Sequence, residues 1–285
     1  MRAVTAAIIA VLALGGTALA ECASDEAVAA LAGSIAAGTP ATLDQRPATM
    51  EEALCTQGKL VALLGEELGE PVGYKVGLTS KPAQERFGAS EPVRGVMPRS
   101  MLRKDKATIP AAFGARPIVE ADLLVTVRSD GINGASTPAE VLPHLADVRP
   151  FIELADLVLA EGERLDPLTI TAINVGARSG VAGRPVPVEA TPEFEAALAG
   201  MTVRVTVDKG DGAGPIEVMG VPGAAILGHP LEALLWLMND GVKLEAGDVV
   251  SLGSFGAPMP AMAGETVRVV YDGLPGKPDV SVTFE

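Results

Sequence analysis

The chain has 285 residues and a formal net charge of −14, from 36 acidic and 22 basic side chains. That balance argues against nucleic acid or an anionic membrane surface as the main partner. Aromatic residues make up only 3% of a sequence that is 48% hydrophobic, so the core is aliphatic and offers no platform for stacking bases.

Residues 1–20 read as an export signal. Arg2 gives a positive start, residues 6–14 are apolar, and Ala18-Leu-Ala20 is a small-x-small cleavage pattern. The apolar run is too short to span a bilayer comfortably. The expectation is an exported protein, periplasmic or secreted, with no membrane attachment after cleavage. Residues 21–285 show no internal repeat and no long linker, which suits one mature domain. Cys22 and Cys55 both lie beyond the cleavage site. Two leftover thiols in an oxidising compartment tend to pair, which would tie the new N-terminus to the next helix. The alternative is two free thiols, with Cys55 on the inner face of its helix. Only His144 and His229 accompany them, so there is no zinc site.

In chain order, residues 23–37 read as a helix capped by Ser24 and ended by Gly38-Thr-Pro40. A second helix, 50–68, starts from Thr49 and places Leu54, Leu60, Val61 and Leu64 on one side. Residues 72–78 read as a short strand with Lys75 in its middle. Thr79 or Ser80 caps a short helix to Arg86. Residues 88–98 read as a loop, and 99–115 as basic and irregular. Residues 116–127 are a strand interrupted by Glu120 and Asp122. In a strand, positions i and i+2 share a face, so both acids project to one side. Burying two like charges so close is costly unless something positive lies between them. A divalent cation with oxygen ligands meets that need.

A polar turn follows at 129–137, then a helix from Thr137-Pro to about 146. Residues 151–159 are a strand carrying a third acid, Glu153, again in apolar company. The central inference is that Glu120, Asp122 and Glu153 hold one metal ion. Residues 166–173 are ambiguous. The Gly-rich stretch 174–183 either offers backbone N–H groups to an anion or is a tight turn. Strands at 201–207 and 216–221 flank a hairpin turn. A helix at 230–239 and strands at 249–252, 266–271 and 280–284 complete the chain. Helices first and mostly strands after is a mixed α/β (α+β) pattern, not regular βαβ alternation. Lys75 has two readings: a side chain that snorkels to the surface, or a buried ammonium that binds a carboxylate or shuttles a proton. There is no G-x-G-x-x-G after a strand, no Walker lysine and no G-x-S-x-G.

Several segments together resemble a known family. They are Gly73-Tyr-Lys-Val-Gly-Leu-Thr-Ser80, Val119-Glu-Ala-Asp-Leu123, Glu153-Leu-Ala-Asp156, Leu227-Gly-His-Pro-Leu-Glu-Ala-Leu-Leu-Trp-Leu237, Leu244-Glu-Ala-Gly-Asp-Val-Val250 and Gly253-Ser-Phe255. In this order they look like the 2-keto-4-pentenoate hydratase and 2-oxo-hepta-3-ene-dioate hydratase group, with the related 4-oxalocrotonate decarboxylases, of the fumarylacetoacetate hydrolase superfamily. The resemblance implies a rolled mixed β-sheet with N-terminal helices, a magnesium or manganese ion, and a homo-oligomer. It places Glu120, Asp122 and Glu153 on the metal ligands and Lys75 on the active-site lysine. Leu78, Asn174, Gly176 and Gly253 become candidate substrate contacts. The implied reaction adds water to a 2-hydroxy-2,4-dienoate, or its 2-keto-enoate form, to give a 4-hydroxy-2-oxo acid. The alternatives are decarboxylation or C–C hydrolysis of a 2-keto acid, or an exported protein that binds a keto acid or cation without turnover. The chain departs from the pattern in having Asp122 for a second Glu, Val175-Gly176 for Ala-Ser, and Leu252 for Ser or Thr.

Overall fold

Every α-helix but the last starts where a short polar side chain takes an end-of-helix amide. In a computed structural model describing residues 22–285, Ser24 caps α1 (Asp25–Ala37) by accepting from the Ala27 amide, and Gly38 ends it in the left-handed conformation. Thr49 caps α2 (Met50–Leu68) in the same way. The expected export signal lies outside the described residues. Cys22 and Cys55 are joined in a disulfide, with a Cα–Cα distance of 5.5 Å. Around it, Ala23 N–H donates to Thr56 Oγ1 at 3.2 Å and Lys59 Nζ donates to Asp25 Oδ1 at 2.7 Å. No helix of the described residues is long and apolar enough to cross a membrane.

The chain continues with β1 (Pro71–Gly77), α3 (Lys81–Phe87), β2 (Val93–Pro98), β3 (Arg103–Lys104), β4 (Ala107–Ile109) and β5 (Pro117–Val127). Then come α4 (Pro138–Val141), β6 (Leu145–Asp156), α5 (Pro167–Ala172), β7 (Ser179–Ala182) and β8 (Val186–Pro187). The last part is α6 (Pro192–Gly200), β9 (Thr202–Asp208), β10 (Ile216–Pro222), α7 (Glu232–Asn239), β11 (Val249–Ser251), β12 (Met259–Pro260), β13 (Thr266–Asp272) and β14 (Asp279–Phe284).

Several segments differ from the sequence reading, the short β7, β8 and β12 among them. Residues 93–98 are a strand and not loop. As an end strand of the sheet, β2 tolerates Pro98. Its Gly95 is needed because a Cβ there would come within 2.9 Å of the Asn174 carbonyl oxygen. The irregular 99–115 stretch contains β3 and β4. The helix after Thr137 stops at Val141, passes through a 3-10 turn containing Pro143, and gives way to β6 at Leu145. The third-acid strand therefore starts earlier than its apolar run suggests, and ends at Asp156. Finally, α6 is a helix where the sequence reading has none, and its Thr191-Pro192 start repeats the cap-then-proline pattern of Thr137-Pro138.

Among the described residues the strands form two sheets. The nine-stranded one runs β2-β1-β11-β5-β6-β7-β3, with β12 also pairing β5 and β8 pairing β6. The five-stranded one runs β10-β9-β13-β14-β4. Alternation divides β5. Val119, Ala121, Leu123, Val125 and Val127 enter the main core with Val203, Val205, Val269 and Tyr271 of the second sheet. Glu120, Asp122 and Leu124 face the other way. The α1–α2 layer closes a separate core with Leu159 and Ile173.

β1 runs parallel to β11, pairing Gly73 with Val249. The backbones approach so closely that a Cβ on Gly73, at φ 146°, would lie 2.0 Å from the Val249 carbonyl oxygen. Gly73→Ala is therefore expected to cost about 3 kcal/mol, or roughly 6–12 °C in Tm. Thermal denaturation checks this; an unchanged Tm would show that the two strands separate easily.

Candidate active site

The register of the central strands assembles the charged residues. Antiparallel pairing sets Glu120 opposite Glu153 and Asp122 opposite Phe151. Parallel pairing sets Lys75 beside Ser251, and Ser251 also pairs with Leu124. Lys75, Asp122 and Glu153 retain only 3%, 0% and 2% of their surface, while Glu120 is half-buried. The Lys75 ammonium forms an ion pair with Glu153 and donates to the Val175 carbonyl at 2.7 Å. Lys75 thus takes its buried reading; it does not reach the surface.

Asp122 is held from three sides. Ser251 Oγ donates to its Oδ2 at 2.6 Å and Gly253 N–H to its Oδ1 at 3.1 Å, and Oδ1 also accepts its neighbour's amide from Leu123. Even so, burial raises the Asp122 carboxyl to about 8, and the charge on Glu153 adds to the rise; the hydrogen bonds and Lys75 oppose it. Glu120 is pushed up to about 7, first by burial and then by Glu153, against Lys75 and the nearby Ser254 hydroxyl. The cause is a shortage of positive charge: three carboxylates share one ammonium.

Among the described residues no three acids stand at metal-ligand spacing. The expected cage is not assembled because Glu153 turns to Lys75 and Asp122 turns to Ser251 and Gly253. The donor chemistry nevertheless suits a hard divalent cation. All three candidates offer carboxylate oxygen, and one ammonium does not balance them. Among the described residues two buried side-chain atoms lack a hydrogen-bond partner, Glu153 Oε1 and Ser254 Oγ, the latter beside Glu120. Glu153 Oε1 touches Lys75 as an ion pair but outside hydrogen-bond geometry. Three carboxylates sharing one ammonium suit an added cation, and the unpartnered Ser254 hydroxyl, at about 1–3 kcal/mol for a buried polar atom, suits an oxygen-bearing ligand.

The other candidates divide. Asn174 turns its amide onto β2, accepting from Val96 N–H at 2.7 Å and donating to Val96 O at 2.9 Å. Its side chain is committed to the backbone and not aimed at the acids. Gly176, at φ 67°, lies against Asp156, whose carbonyl oxygen a Cβ would meet at 3.0 Å. Its role is in the turn. Leu78 is half-buried against the apolar cluster of Val93, Ile170 and Val175. Gly253 alone of the four binds the acid cluster, and its missing Cβ leaves room for Thr79 Oγ1, 2.2 Å from where that atom would be. Asp156, from the same motif as Glu153, accepts the Ala115 and Arg116 amides and shapes the entry to β5.

Backbone strain gathers here too. Leu78, Asn174, Val175 and Leu227 all adopt left-handed φ of 49° to 56°, at a cost on the order of 1–2 kcal/mol each for residues with a Cβ. For a β-branched residue such as Val175 this is a true outlier. It aims the Val175 carbonyl at Lys75. Sequence reasoning missed Ser251, Ser254 and the Val175 carbonyl. Alternation along 249–252 was the available signal for Ser251: Leu252 enters the core, so its neighbour must face the acids.

No family model matches the chain. A 2-oxo-hept-4-ene-1,7-dioate hydratase from Escherichia coli is 31% identical over 246 residues, covering 82% of this chain and 87% of the relative. A 2-keto-4-pentenoate hydratase from Paraburkholderia phymatum is 30% identical over 220 residues, covering 75% and 78%. In three dimensions, 4-oxalocrotonate decarboxylase from Pseudomonas putida G7, solved with magnesium and adipate, superposes with a TM-score of 0.73 at 23% identity, over 92% of this chain and 98% of that one. The chain thus shares the fold of that solved decarboxylase. With these identities and coverages, the chain belongs to the 2-keto-4-pentenoate hydratase family.

Proposed function

We propose that the protein is a divalent-metal-dependent hydratase that adds water to a 2-hydroxy-2,4-dienoate, through its 2-keto-enoate form, giving a 4-hydroxy-2-oxo acid. The observation that carries this reading is the buried Lys75–Glu153 ion pair facing Glu120 and Asp122 on one sheet face. The activities named for the E. coli and P. phymatum relatives support it. Glu120, Asp122 and Glu153 would hold magnesium or manganese, which supplies Lewis acidity toward a C1 carboxylate and C2 oxygen.

The chain's own residues do the rest. An ammonium has three N–H donors. Lys75 directs one of them to Val175 O and is held beside Glu153 as an ion pair, which leaves N–H for the carboxylate end of the substrate. In a buried site that charge acts with little solvent screening. Lys75 can deliver charge or a proton there while Glu153 keeps the ammonium in place. Ser254 Oγ, without a partner, is free to bond a substrate oxygen.

The test is direct. With magnesium or manganese, the purified protein is expected to consume the ultraviolet absorbance of a 2-hydroxy-2,4-dienoate and to yield a 4-hydroxy-2-oxo acid by NMR; EDTA should abolish turnover. Release of carbon dioxide would assign decarboxylation instead. A metal-dependent thermal shift without turnover would assign a binding protein. Export and self-association belong to the same reading. Export is supported by the pattern in residues 1–20, and self-association by the family likeness and the exposed Ile216, Val218 and Met262.

A further inference from the structure

Tyr271 is one of only two tyrosines in the chain and has no exposed surface. It belongs to β13 of the second sheet, yet its hydroxyl reaches across the core into the β5–β6 ladder. There the Phe151 N–H donates to it at 3.2 Å, and it donates to the Asp122 carbonyl, with the Phe151 carbonyl a second acceptor at 3.2 Å. Asp122 and Phe151 face each other across the two strands, so the hydroxyl bridges one facing pair. The next pair on the same face of the ladder is Glu120 and Glu153.

A buried hydroxyl is costly unless it is bonded. A phenylalanine would fill the same volume without that cost, so the phenol oxygen has work at this point. The ring supports the same region from a second side. It stands edge-on to Phe255, with centroids 6.3 Å apart, and Phe255 N–H donates to the Ala121 carbonyl at 2.8 Å. Phe255 is two residues from Gly253, whose amide holds Asp122. One side chain therefore fixes the Asp122 backbone directly and braces the segment that fixes its carboxylate.

We propose that Tyr271 is a positioning residue for the acid cluster, setting the spacing of β5 and β6 at Asp122 and so the fit of Glu120, Asp122 and Glu153 around a divalent cation. This rests on the metal-dependent reading above. Partners that orient ligands typically change metal affinity by about 10–100-fold when removed.

Titration with manganese, followed by its electron paramagnetic resonance signal, tests the proposal. Tyr271→Phe keeps the ring and removes the oxygen, and is expected to bind at least about tenfold more weakly than wild type. Val269→Ala, on the same strand and fully buried, weakens packing without touching Asp122, and should keep wild-type affinity within about twofold. Equal binding by Tyr271→Phe and wild type overturns the proposal and leaves the functional reading standing. An equal loss in Val269→Ala also overturns it, because the effect would then be general loosening. No manganese binding by wild type sinks the functional reading, and the proposal with it. If Tyr271→Phe does not fold, wild-type sequence labelled with 3-fluorotyrosine decides. Its Tyr271 fluorine resonance, assigned with a Tyr74→Phe sample, should shift saturably with magnesium, and a resonance that stays still while magnesium binds overturns the proposal.

Discussion

Glu153→Gln is expected to lower kcat/KM for a 2-hydroxy-2,4-dienoate by about a thousandfold or more, about 4 kcal/mol of transition-state stabilisation. The substitution keeps the shape of the side chain and removes only charge. Glu153 sits where three demands meet. It faces Glu120 across the strand pair, it neutralises Lys75, and its Oε1 has no hydrogen-bond partner. Loss of its charge weakens it as a cation ligand and leaves the ammonium oriented only by the Val175 carbonyl. Steady-state rates at saturating magnesium measure the effect. A variant with wild-type turnover would show that the ion, if bound, is held elsewhere, and would remove Glu153 from the mechanism.

Lys75→Met should be nearly as damaging to turnover, and it should also weaken the metal-free fold. Methionine fills the volume but leaves Glu153 buried without its counter-charge. Breaking a buried pair by removing one partner costs about 3–5 kcal/mol, which corresponds to a Tm lowered by roughly 10 °C for a chain of this size. The sign is set by the remaining charges: with the ammonium gone, three acids face one another, and burial already resists ionisation of Glu120 and Asp122. The double variant Lys75→Met/Glu153→Gln removes both charges and should regain most of the lost stability while remaining inactive. Thermal denaturation of the two single variants, the double variant and wild type, all without metal, gives the coupling. Additive losses would mean that the pair is not coupled, contrary to the contact between Lys75 and Glu153.

The sequence reveals what is decided locally. Ser24 and Thr49 cap α1 and α2 as the sequence suggests, and of Thr79 and Ser80 it is Ser80 that caps α3, because capping needs only a short polar side chain and the amide a few residues on. The i, i+2 spacing of Glu120 and Asp122 is likewise a property of one strand, and both lie on the face away from the main core. What stays hidden is set by partners distant in the chain. That Glu153 stands opposite Glu120 depends on the β5–β6 register. That Asn174 is drawn to Val96 depends on β2 being a strand, and the Gly and Pro residues of 88–98 concealed it. The missing hydroxyl at Leu252 is a loss only in one dimension, since Ser251 supplies one to Asp122. Tyr271 comes from another sheet altogether, so no local pattern marks it.

The bond between Cys22 and Cys55 closes a span of 33 residues and staples α1 to α2. The same α2 carries Gln57, whose amide donates to the Arg94 and Thr171 carbonyls at 2.9 Å each. Those carbonyls belong to the wall that carries Asn174 and Val175, behind Lys75. The sulfur chemistry of the chain's beginning is therefore wired, through a single helix, to the backing of its most charged interior. Material produced in a reducing cell lacks that staple, and holds its first helix only by reversible contacts such as the bridge from Lys59 to Asp25. How a sample was oxidised is thus a variable to record beside any rate measured on it.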